Sequence, residues 1–166
     1  QGSRGRHFEL IVIQRCLRGP FTIPGEITPI SNHLRRFEGN GLPEDYGPND
    51  TAGLLVPCVT NFKAIDMVWK IGTRVIGVQV HISTHKDTVT AFEGLCRQAE
   101  WHKRFNTIEM WFLSPTEEAK KLVARFAGTH TCRTTRSNSN EAWTIEVSAK
   151  TIGDISCLSN LTWPTY

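Results

Sequence analysis

The sequence contains no Cys-x-x-Cys spacing, and its cysteines do not come in pairs. Cys16, Cys58, Cys96, Cys132 and Cys157 are five in number and widely scattered. Such a set indicates neither a disulfide framework nor a zinc finger, and points to mostly buried thiols in a reducing, intracellular compartment. Long apolar runs are missing too. The longest, 53–59 and 108–113, fall far short of a bilayer's width, so no membrane partner is expected. The opening Gln-Gly-Ser-Arg-Gly-Arg runs straight into a charged helix and does not read as a signal peptide. There is no GxxxxGK[ST] or GxGxxG phosphate loop, no GxSxG elbow, and no cysteine in a recognisable catalytic context. Strong charge of one sign is also absent. A net charge of +3 permits a nucleic-acid partner without demanding one.

What is present suits one globular domain over residues 1–166, with hydrophobic residues at 39% and charged residues at 21% ruling out a disordered chain. Phe8, Ile11, Val12 and Cys16 fall at helical spacing, predicting an amphipathic helix over 7–17 closed by Gly19-Pro20. An extended, turn-punctuated segment follows over 21–30, then a long loop over 38–53, rich in Gly, Pro, Asn and Asp. Residues 63–70 and 74–83 read as the strands of a hairpin turning at 71–73. A helix is expected over 84–104 with Val89, Phe92, Cys96 and Ala99 as its stripe, then a buried strand over 108–113. Ser114-Pro115-Thr116-Glu117-Glu118 starts another helix, running to 126. The polar stretch 129–141 reads as a hairpin loop, and 143–147 as a strand. This order implies an α/β fold with a mixed sheet flanked by helices.

Two-residue alternation puts Val75, Gly77, Gln79 and His81 on one side of the second hairpin strand, and Ile76, Val78, Val80 and Ile82 on the other. The latter is a plain core face. The former carries two polar groups, and Asp66 interrupts the apolar partner strand. A carboxylate there is costly unless it is hydrogen-bonded, paired or bound to a cation. Asp66, Gln79 and His81 are therefore expected to meet at one end of the hairpin, with Glu9 of the first helix leaning over the same point. That set supplies the hard oxygen ligands a divalent cation takes. Taken singly, each has a plainer role: Asp66 as acceptor from a neighbouring loop, Gln79 as a satisfied polar group, Glu9 as a solvated helix residue. The His81-to-His85 spacing resembles a helical HExxH zinc site only loosely, since Ile82 stands where the glutamate belongs.

In order, the chain carries Gly5-Arg-His-Phe8-Glu9, then Asp66 closing Asn61-Phe-Lys-Ala-Ile, then Gln79-Val-His81 and His85. This resembles the PD-(D/E)xK nucleases, in particular the Crinkler and retrotransposon-hot-spot type, over roughly residues 5–127. The resemblance implies a restriction-endonuclease-like αβββαβ core and Mg²⁺ (or Mn²⁺) held by Glu9, Asp66, the amide oxygen of Gln79 and the carbonyl of Val80. Glu9, Asp66, Gln79 and His81 would be catalytic. His85, followed by Lys86, would contact phosphate or assist proton transfer. Charge distribution adds to this independently: Arg4, Arg6, Arg15, Arg18, Arg35 and Arg36 crowd the first quarter of the chain and could grip the phosphates of a nucleic acid, the plainer role being a solvated helix face and loop. The substrate implied is DNA, with RNA as the second choice. The setting implied is the C-terminal domain of a larger effector-type protein acting in the nucleus, with pairing into a homodimer as a further expectation. His81 departs from the pattern, because it stands where the superfamily has lysine and the nearer branch often threonine. The alternative reading is an inactive pseudo-nuclease that binds DNA or a host protein.

Overall fold

The computed structural model describes residues 3–80, 87–136 and 139–163. Its elements are α1 (Ser3–Cys16), β1 (Leu34–Phe37), β2 (Leu54–Pro57), β3 (Met67–Ile71), β4 (Arg74–Val80), α2 (Thr88–Gln98), α3 (Trp101–Arg104), β5 (Thr107–Ser114), α4 (Glu117–Val123), β6 (Gly128–Arg136) and β7 (Ser139–Thr151). The strands form one seven-stranded mixed sheet in the order β1-β2-β3-β4-β5-β7-β6. β2, β3 and β4 make an antiparallel meander, β4, β5 and β7 run parallel, and β6 returns antiparallel on the far edge. The expected α/β fold, a mixed sheet flanked by helices, is present.

Both faces of the sheet are covered. On one side Phe8, Val12, Ile13 and Cys16 of α1 pack with Met67, Trp69, Ile76, Val78 and Val80, and Ile152, Ile155 and Leu158 after β7 close the layer. On the other, Phe92, Leu95 and Cys96 of α2 and Val123 of α4 pack with Val68, Val75, Met110 and Phe112. The alternation along β4 therefore separates two buried layers, not a core face from a polar one. A Cβ on Gly77 would sit 2.5 Å from the Phe92 ring and 3.1 Å from Ile65, so its lack of a side chain is what lets α2 seat against β4.

Local chemistry accounts for the ends of these elements. Thr116 caps α4 by accepting from the Ala119 N–H at 3.1 Å, with Glu117 and Glu118 in the first turn. The single helix expected over 84–104 is broken: Glu100 takes a left-handed φ of 57° between α2 and α3. Three strands differ from the sequence reading. Of the stretch 129–141, residues 129–136 belong to β6 and 139–141 to β7, not to a loop, because the threonines of β6 suit an edge strand whose outer residues face water. β1 and β2 are four-residue strands too short to show a period. The loop 38–53 is pinned: Tyr46 is buried with its Oη donating to Ala52 O at 2.8 Å, and Lys70 Nζ donates to Pro48 O at 3.1 Å.

Gly77→Ala is expected to destabilise the fold by about 1–3 kcal/mol, the usual range for overpacking. Urea unfolding checks this, and a neutral substitution would mean that Phe92 moves aside at no cost.

Candidate active site

The site begins with an irregularity in β3. The Asp66 N–H donates to Val78 O at 2.8 Å, although Val78 is already the register partner of Met67. Two residues of one strand thus face one of the other, the arrangement of a β-bulge, which re-aims a side chain and is common beside active sites. The approach to it is strained, since Asn61 and Ala64 both lie in the left-handed region, at φ of 61° and 74°. The expected alternation fails here for that reason. Asp66 lies close enough to Glu9 of α1 for the charge of one to raise the carboxyl of the other, and its Oδ2 accepts from the Val80 N–H at 2.7 Å.

Glu9 is only 7% exposed, and Arg6, one turn earlier on α1, pairs with its Oε1. Two buried carboxylates in contact cannot both ionise cheaply. Burial first, and then the charge of Glu9, push the Asp66 carboxyl up to about 8, against the opposing hydrogen bond from Val80. Burial raises Glu9 as well, with Arg6 opposing it. A cleft of about 180 Å³ opens beside the pair, walled by Arg6, Arg36, Asn61 and Phe62 as well as by Glu9 and Asp66 themselves. It lies beside the carboxyl end of β4, where open α/β sheets commonly bind ligands. The hard oxygens of the pair suit a divalent cation such as Mg²⁺.

The other predicted residues fall in different places. Gln79 is half-buried on the Val75/Gly77 side of β4, the side covered by α2, whereas Glu9 comes from the α1 side. The main chain of Val80 touches the site through its bond to Asp66. His81, His85 and Lys86 lie outside the described residues. Of the arginines, Arg15 Nε donates to Cys157 O at 2.9 Å, and Arg35 is held by Asp45 and Asp50, both at 2.7 Å. Arg18 and Arg36 are exposed, and of the early arginine cluster Arg6 and Arg36 line the cleft. Arg6 belongs to the early arginine cluster expected to grip phosphates; its pairing with Glu9, one helical turn on, was not anticipated.

A second group was also missed. Glu93 of α2 and His130 and Cys132 of β6 bring one ligand atom each within 4.8 Å of one another, and could hold a metal ion. The His-x-Cys spacing becomes informative only once 128–136 is known to be a strand. The chain matches no protein-family model, and neither the curated proteins nor the solved structures give a match.

The raised Asp66 carboxyl has a definite pH consequence. Its cost to the metal-free fold is absent below its ordinary value of 3.8 and grows until the pH passes about 8. Asp66→Asn, melted in chelator, is therefore expected to gain in Tm over the parent protein progressively from pH 4 to pH 9, at about 3 °C for each kcal/mol relieved. A gain that stays flat with pH would show that Asp66 does not carry this burden.

Proposed function

We propose that this domain is a Mg²⁺-dependent nuclease that hydrolyses phosphodiester bonds, with DNA as its substrate. The observation that carries the reading is the buried Glu9–Asp66 pair at a cleft walled by Arg6 and Arg36. The succession α1, β1, β2, β3, β4, α2, α3, β5 supports it, since with β1 and α3 as additions it contains the αβββαβ order of the restriction-endonuclease-like nucleases.

Glu9 and Asp66 would hold the ion, which supplies polarisation of the phosphate and a lowered pKa for an attacking water. The Val80 N–H fixes Asp66 in place, as partners of ligating carboxylates generally do. Arg6 and Arg36 would draw the phosphate into the cleft. Mn²⁺ would serve in place of Mg²⁺, and RNA is the alternative substrate. The resemblance further suggests action in the nucleus and pairing into a homodimer. No helix among the described residues is long and apolar enough to cross a membrane.

The rival reading is a pseudo-nuclease that binds DNA or a host protein without cutting. It is favoured by the place of Gln79, on the opposite side of β4 from the helix that bears Glu9.

Supercoiled plasmid incubated with Mg²⁺, Mn²⁺ or chelator separates the two. Metal-dependent nicking is expected. Asp66→Ala and Glu9→Ala should each lower it by more than the ~10–100-fold typical of losing an outer-shell partner. Folded protein that binds DNA equally well in chelator and never cuts would establish the rival. Cutting that survives Asp66→Ala would place the active site elsewhere.

A further inference from the structure

The second group lies on the α2 face of the sheet, across it from the layer that holds α1. We propose that Glu93, His130 and Cys132 form a zinc site with three protein ligands and an open fourth position. It is independent of the nuclease reading.

The backbone places the ligands without strain. His130 and Cys132 are two residues apart on β6, so the period of a strand turns both to one face. Their neighbours Thr129, Thr131 and Arg133 are exposed, while Cys132 is 1% exposed. Glu93 stands on α2 next to Phe92, at the border of the buried stripe. Its Oε1 lies 2.7 Å from His130 Nε2, and Arg97, one turn on, pairs with its other oxygen. One carboxylate oxygen is thus tied down by a cation while the other is aimed at the imidazole, as a supporting partner would arrange.

The three ligand atoms lie within 4.8 Å of one another. Tetrahedral zinc, with bonds of about 2.0–2.3 Å, separates its ligand atoms by roughly 3.3–3.8 Å. Seating the ion means opening the 2.7 Å contact between Glu93 Oε1 and His130 Nε2 and drawing the more distant ligand atoms together. The donor set selects the metal: a thiolate and an imidazole disfavour Mg²⁺ and Ca²⁺, and a carboxylate beside them suits zinc better than Cu(I). Burial, and then Glu93, push the Cys132 thiol up to about 12, with Arg97 opposing. Zinc entry therefore sends the thiol proton to solvent, and the freed sulfur electron pair makes the Zn–S bond.

A second cleft, of about 260 Å³, opens beside His130 between Val89, Thr90, Phe126 and Thr129. It gives water or a small ligand a route to the fourth position. The bound ion would also clip the edge hairpin β6–β7 to α2.

Cobalt titration of the chelator-stripped protein tests the site. The expected result is a thiolate-to-cobalt charge-transfer band with the strong visible absorption of tetrahedral Co²⁺, displaced by one equivalent of zinc. Cys132→Ser should remove the band. His130→Gln and Glu93→Gln, at half-buried positions, should each weaken zinc by at least the ~10–100-fold known for outer-shell losses. Zinc should raise the Tm of the parent protein and of Asp66→Asn, but not that of His130→Gln. Absence of the band in the parent protein would overturn the proposal. So would a band that survives Cys132→Ser, or zinc affinity unchanged in both His130→Gln and Glu93→Gln.

Discussion

Two carboxylates pressed together inside a protein require a third party, either a proton or a cation. Glu9 and Asp66 are in that position, and much of the surrounding structure serves to put them there. A bulge at the start of β3 turns Asp66 away from its regular alternation, and a main-chain N–H from β4 holds it. The α1 stripe of Phe8, Val12 and Cys16 sets Glu9 against it. Arg6 supplies one compensating charge, and the pair still holds Asp66 near 8. Groups kept at such a cost to folding are concentrated at functional sites.

The sheet explains how a helix near the start of the chain reaches a residue at position 66. Its central strands are covered on both faces, so neither α1 nor α2 can shift without uncovering apolar surface. Gly77 sets how closely α2 approaches, and the bulge sets which way Asp66 faces.

The helices were the more legible part of the sequence. The Phe8/Val12/Cys16 and Phe92/Cys96 stripes show the helical period directly, and Glu117 and Glu118 mark a helix start. Asp66 was legible because a carboxylate amid apolar strand neighbours demands a reason, whereas Glu9, by itself an ordinary solvated helix residue, stood out only in combination with it. The bulge was not. Alternation assigns Asp66 to the side of Gln79, and only the hydrogen bond from Asp66 to Val78 shows the period restarting. β6 was hidden for a different reason: an edge strand with threonine and arginine facing water looks like a loop until its partner is known. With it went the spacing of His130 and Cys132.

The central claim is that a proton shared by Glu9 and Asp66 occupies the place a divalent cation would take. Calorimetric titration with Mn²⁺ at pH 7, repeated in buffers of different ionisation enthalpy, measures this directly. With Asp66 near 8, the account predicts release of close to one proton for each ion bound, falling toward zero at pH 9. Binding without proton release, or no binding at all, would contradict it.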